Sequence, residues 1–127
     1  NFLPYIMAAM WAKENKLDDA IILNNYSRIA ETTIANIFLV KDGKIKTSAL
    51  SEGCVAGVMR RYMSECLKKE NIPYEETQMH TDELADANEV FITNAVQGIR
   101  WIKQCGKNNY NFKLAEYLHR TFLLSLF

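Results

Sequence analysis

The chain has 127 residues, 49% hydrophobic, 11% aromatic and 24% charged, the makeup of one globular domain with no room for a second. Fifteen Lys and Arg balance fifteen Asp and Glu, so no basic field points to nucleic acid or an anionic membrane, and any bound phosphate must be held by local groups. Cys54, Cys66 and Cys105 form no CxxC pair and are odd in number, which argues against a zinc site and a disulfide framework; reduced thiols in a cytoplasmic setting are expected. From residue 2 to 12, Phe2, Leu3, Ile6, Met7, Met10 and Trp11 recur at three- and four-residue spacing, predicting an amphipathic helix that packs on a sheet, with Pro4 tolerated in its first turn. Ala20-Ile21-Ile22-Leu23 reads as a strand ending at the Asn24-Asn25 turn, and a second strand begins near Arg28. Residues 34–40 are rich in β-formers, and Asp42-Gly43 marks a tight hairpin into Ile45-Lys46-Thr47.

Residues 51–58 form a small-residue loop that runs into a helix over 59–70, where Met59, Tyr62, Met63, Cys66 and Leu67 trace one face. Asn71-Ile72-Pro73 ends that helix, residues 74–79 resemble an exposed strand, and Thr81 caps a short helix with Asp82 and Glu83 in its first turn. Val90-Phe91-Ile92-Thr93 reads as a buried strand, residues 99–103 as another, with a turn at 106–109. A helix over 114–126 closes the chain with Leu114, Tyr117, Leu118, Phe122 and Leu126 inward. No apolar run approaches the roughly 20 residues needed to span a bilayer, the closing residues 122–127 included. The chain starts at Asn1 without an initiator Met or a leader-like segment, so its start reads as interior.

Three places could carry chemistry. The loop from Gly53 to Met59 stands at a helix N-terminus, where unpaired N–H groups and the dipole favour an anion, and Gly57 allows close approach; a loop that merely turns a corner fits the same residues. Glu31 lies among strand residues: it is either a solvated carboxylate paired with Arg28 or Lys46, or a half-buried acid that needs an N–H or cationic partner. Thr93-Asn94-Ala95 offers a hydroxyl, an amide and main-chain N–H groups at the end of a buried strand, or is simply a polar turn. His80 and His119 lack any nucleophile pattern around them and read as structural; no metal is expected.

Taken in order, Ile29-Ala30-Glu31, Ala35-Asn36-Ile37-Phe38, the Asp42-Gly43 hairpin, Ser51-Glu52-Gly53, Gly57-Val58-Met59-Arg60 and Val90-Phe91-Ile92-Thr93-Asn94-Ala95 resemble the C-terminal domain of class IV aminotransferases. These are the fold-type IV pyridoxal-phosphate (PLP) enzymes. The resemblance covers nearly the whole chain and implies an α/β (α+β) fold, a mixed sheet or pseudo-barrel flanked by helices, with residues 1–127 as the PLP-binding domain and the small N-terminal domain outside it. It implies that Glu31 keeps the cofactor's pyridine nitrogen protonated, that Val58 and Met59 offer N–H groups to its phosphate with Gly57 permitting the approach, and that Val55 packs on the ring. Asn94 and Ala95 match the position that binds phosphate and substrate carboxylate.

Asn1-Phe2-Leu3 matches the helix opening that follows the family's Schiff-base lysine, so that lysine is expected just before Asn1 and no catalytic residue within the chain. Met59 where aminotransferases commonly have Thr, and Asn94-Ala95 in place of hydroxyl residues, are more similar to the 4-amino-4-deoxychorismate lyase branch, which eliminates pyruvate to leave 4-aminobenzoate for folate synthesis. A branched-chain or D-amino acid aminotransferase, and a non-catalytic binding or assembly domain, are the alternatives. Partners implied are a small-molecule substrate and a second copy in a homodimer, with no nucleic acid and no membrane.

Overall fold

A computed structural model of the chain describes residues 3–124, the side chains of Leu3 and Pro4 excepted. The expectations placed on Asn1, Phe2, the Leu3 side chain and residues 125–127 therefore lie outside the described residues. After helix α1 (Leu3–Glu14) come strands β1 (Ile21–Leu23), β2 (Ile29–Thr32), β3 (Asn36–Lys41) and β4 (Lys44–Ser48), then a 3-10 turn (Leu50–Glu52) and helix α2 (Val58–Lys69). Strand β5 (Tyr74–Thr77), helix α3 (Glu83–Asp86), strands β6 (Glu89–Asn94), β7 (Gly98–Trp101), β8 (Gln104–Cys105) and β9 (Asn108–Asn109), and helix α4 (Lys113–Leu118) follow. A five-stranded mixed sheet in the order β5-β4-β3-β6-β7 is central, with two-stranded pairs β1-β2 and β8-β9 beside it. Only β4 and β5 of that sheet run parallel.

The central strands explain the layering. In β3 the residues from Asn36 to Val40 are all buried, because Phe38 and Val40 face one side and Ile37 and Leu39 the other. On the first side, Phe38 stacks on its cross-strand partner Phe91 with ring centroids 4.8 Å apart, and Met59, Met63 and Leu67 of α2 with Leu118 of α4 close over them. On the second, Ile29, Met79, Leu84 and Tyr110 cover Ile37, Leu39, Val90 and Ile92. The β3–β4 hairpin turns through Asp42 and Gly43, both at positive φ (50° and 78°), as the Asp-Gly pair predicts. Helix α2 stops at Asn71, whose φ of 56° lets Ile72 N–H reach Leu67 O and Asn71 N–H reach Lys68 O. Helix α4 is capped from a distance: Leu114 and Ala115 N–H donate to the buried Glu89 carboxylate at 2.9 and 3.1 Å.

Several expectations are corrected. Helix α1 does not lay an apolar face on a sheet: Ile6, Met7, Met10 and Trp11 share a face but are 54–61% exposed, and among the helix's described side chains Ala12, on the other side, is the buried one. Thr81 does not cap α3; Asp82 holds the N-cap position without a side-chain bond, and Glu83 reaches back to accept from His80 N–H. Met79, assigned to an exposed strand, lies past the end of β5 and is fully buried. Strand β7 stops at Trp101, and the 106–109 turn is itself the β8–β9 hairpin. The last helix widens into a π turn (His119–Leu123), where Leu124 N–H donates to His119 O and Leu123 turns inward; Tyr117, expected inward, lies in α4 ahead of that turn and is 39% exposed. Among the described residues no helix is long and apolar enough to cross a membrane.

Candidate functional site

Glu31 stands on β2, opposite Ile22 of β1, and is 3% exposed, so the solvated reading does not hold. Neither expected cation reaches it. Arg28 lies three positions earlier on an alternating strand and forks instead onto Glu52, Nε to Oε1 at 2.5 Å and Nη2 to Oε2 at 3.0 Å. Lys46 bonds Glu83 at 3.0 Å. The donors that do meet Glu31 are neutral: Val55 N–H on Oε1 at 3.0 Å and the Tyr5 hydroxyl on Oε2.

The loop between the 3-10 turn and α2 is held at each step by side chains reaching from elsewhere. The Arg28–Glu52 fork anchors its start, and Arg28 beside Glu52 holds that carboxyl below the usual carboxylate range. Gly53, at φ 99°, turns the chain where other residues are strained. The buried Arg60 donates through Nη1 to Ser48 O at 2.6 Å and lies 3.3 Å from Cys54 Sγ, while its Nη2 is 3.0 Å from Glu76 Oε1. Burial pushes the Cys54 thiol up, partly opposed by Arg60. Asn36 donates through Nδ2 to Val55 O at 2.7 Å, and its Oδ1 lies 2.5 Å from where a Cβ on Gly57 would be, so only glycine fits there.

Gly57 caps α2 in an extended conformation with no side-chain cap, which leaves the first-turn N–H groups of Val58 and Met59 without a helical partner. The Met59 side chain turns away into the core. Opposite, Asn36 pairs with Thr93 across β3 and β6, and the Thr93 hydroxyl is buried with no hydrogen-bond partner among the described residues. Asn94 uses its own side chain locally: Oδ1 accepts from Val96 and Gln97 N–H at 3.1 and 2.7 Å, shaping the turn that presents Ala95.

These pieces enclose one cavity of about 510 Å³, bordered by Glu31, Val55, Gly57, Val58, Met59, Asn94 and Ala95. The structure thus brings together every cofactor- and substrate-binding position expected from the sequence. Its volume falls in the range that takes small-molecule ligands. A second open hollow of similar volume, lined by Val40, Ile72, Pro73 and Leu114, lies at the opposite end of the sheet, and the Glu89 carboxylate there is committed to α4. His80 is exposed and His119 sits edge-on to Trp101, neither of them on the cavity. Among the described residues no group of three or more His, Cys, Asp or Glu could hold a metal.

Other residues border the cavity as well, among them Thr93, whose hydroxyl the sequence already pointed to, and Tyr5 and Asn36, which it did not mark as site residues. Asn36 carried a signal, a polar residue opening a run of apolar strand residues, which must find a partner if buried. Tyr5 carried none, since nothing in its helix spacing points to a carboxylate 26 positions away. Its hydroxyl titrates at about 12, held up by the bond to Glu31 and by burial.

Comparison with known proteins adds the context. The model of the family described as "Amino-transferase class IV" matches residues 1–105. Aminodeoxychorismate lyase from Vibrio harveyi is 31% identical over 122 residues, 94% of this chain and 45% of that protein. A Legionella pneumophila crystal structure assigned to 4-amino-4-deoxychorismate lyase superposes with a TM-score of 0.90 at 27% identity, covering 99% of this chain and 47% of the other. The branched-chain aminotransferase of Thermoproteus uzoniensis, solved with norvaline, gives a TM-score of 0.86 at 29% identity, covering 94% and 42%. The chain spans less than half the length of each of these relatives.

Proposed function

The chain belongs to the class IV aminotransferase family, and on that premise we propose that it is the PLP-binding part of a lyase that eliminates pyruvate from 4-amino-4-deoxychorismate to give 4-aminobenzoate. The observation that carries the reading is the polarity of one cavity: a buried carboxylate on one wall, and on another a helix N-terminus without a side-chain cap beside a buried hydroxyl that has no partner among the described residues. The residues fit the cofactor. A phosphate is matched by the free N–H groups of Val58 and Met59 and the α2 dipole, with Gly57 bare enough for close approach. Thr93 borders the same space, and its buried hydroxyl, without a hydrogen-bond partner among the described residues, would be a further donor there.

Glu31 would hold the proton on the pyridine nitrogen, and in return the ring would supply the cationic partner that a buried carboxylate otherwise lacks. When bound, PLP supplies an electron sink for the pair left on the substrate carbon. Val55 would border the ring and exclude water there, and the turn shaped by Asn94 would present main-chain N–H groups at Ala95 to the phosphate or the substrate carboxylate. No basic field is needed, which accords with the zero net charge.

Met59 and Asn94-Ala95 favour the lyase over amino-group transfer, since neither position carries the hydroxyl common among the aminotransferases, and the Vibrio harveyi lyase aligns over nearly the whole chain. The test is to load the full-length protein with PLP and follow pyruvate and 4-aminobenzoate from 4-amino-4-deoxychorismate. Visible absorbance of bound PLP with pyruvate release is expected. Conversion of the cofactor to its pyridoxamine form by a branched-chain or D-amino acid, without pyruvate release, would replace the lyase by a transferase. Failure to bind PLP would leave a binding or assembly domain.

A further inference from the structure

We propose that Tyr5 is a positioning residue that aims the Glu31 carboxylate at the cofactor ring, an inference that rests on the PLP reading above. A carboxylate on a flexible side chain can rotate about its last torsion, so a buried one is directed only if both oxygens are engaged. In Glu31 each oxygen has a donor from a different element: the loop supplies Val55 N–H to Oε1 at 3.0 Å, and α1 supplies the Tyr5 hydroxyl to Oε2. Two donors leave about half of the roughly four lone-pair sites of an ionised carboxylate for a third. Tyr5 and Glu31 border the same cavity, so the third site can be reached from it. The phenol titrates at about 12 and therefore stays a donor through the neutral range.

Among the described residues this bond is the one side-chain hydrogen bond from α1 to the rest of the chain. The placement of α1 and the orientation of Glu31 are consequently coupled through a single hydroxyl. A phenylalanine at position 5 would keep the ring in place and remove only that coupling.

The experiment is a double-mutant cycle in the full-length protein, with Tyr5→Phe, Glu31→Gln and both together, read by PLP affinity and by the pH midpoint of the visible absorbance of bound PLP. The absorbance reports only folded, loaded protein, so misfolding cannot imitate the result. A charged ring nitrogen holds neighbouring cations to lower midpoints, so losing its partner raises them. Tyr5→Phe should weaken PLP binding about 5- to 10-fold, in line with the net worth of one hydrogen bond, and raise the midpoint. In the Glu31→Gln background the same change should move neither readout. Equal shifts in both backgrounds, or none in either, would overturn the role of Tyr5 and leave the cofactor reading standing. If Glu31→Gln alone leaves affinity and midpoint unchanged, the assignment of Glu31 falls, and this inference with it.

Discussion

The loop of residues 53–57 and helix α1 flank the same cavity and are held in opposite ways. The loop has almost no regular structure, yet four side chains from other elements fix it: Glu31 and Asn36 grip the two polar groups of the Val55 backbone, Arg60 spans Ser48 and Cys54, and Arg28 anchors Glu52. Helix α1 has regular structure throughout, yet Ile6, Met7, Met10 and Trp11 face outward, and Tyr5 and Ala12 tie it to the body. Regularity and fixation are therefore separate properties. A helix pairs most of its backbone within itself, so its shape says little about what holds it in place, whereas a loop takes many of its partners from other elements and is located by them.

The largest effect should come from the tightest point of that loop. Gly57→Ala puts a Cβ at 2.5 Å from Asn36 Oδ1, so Asn36 or the loop must move. The expected loss is about 1–3 kcal/mol in denaturant unfolding, together with at least about tenfold in PLP affinity. Asn36→Ala leaves Val55 O without its donor and should cost about 1–3 kcal/mol by itself, yet it removes the obstacle that the new methyl group of Gly57→Ala meets. The double variant should then fall short of the sum of the two; strict additivity would show that the two residues do not press on each other.

A smaller effect is expected from acid. Glu52 titrates below its unfolded value because Arg28 donates to it, so its contribution is complete above about pH 4.3 and fades as pH falls through the lower folded value. Stability should therefore decline from about pH 4 downward, and Arg28→Gln should flatten that limb of a stability-versus-pH curve. An unchanged limb would mean that the fork does not anchor the loop. The smallest effect belongs to α1: Ile6→Ser and Met10→Ser should change the stability of this chain alone by no more than about 0.5 kcal/mol, since both side chains already meet water. A much larger loss in the full-length protein would locate a cover on that helix.

Much of the fold is legible in the residues. The Asp42-Gly43 hairpin, the two-sided burial of β3 and β6 and the inward face of α2 follow from turn chemistry and periodicity, which are local. The order of Glu31, Gly57-Val58-Met59 and Asn94-Ala95 along the chain points to their convergence only through the family resemblance, because composition and spacing do not say which loops meet. Helix α1 departs from the expectation because apolar residues at helical spacing say which residues share a face, not what that face meets; in the closing helix Leu114, Leu118 and Phe122 lie inward as their spacing predicts, and the π turn adds Leu123 to them.

The sequence by itself determined the class of fold, the neutral charge that leaves phosphate to main-chain donors, and the carboxylate and glycine loop as candidates. Tertiary structure decided the rest: that Glu31 is buried and met by Val55 and Tyr5 instead of Arg28 or Lys46, that Asn36 leaves room for nothing larger than glycine at 57, and that the Thr93 hydroxyl is buried beside the cavity with no partner among the described residues. Hydrogen bonds between residues 19 to 26 positions apart have no period to announce them, and become visible only once the strands have set those side chains side by side.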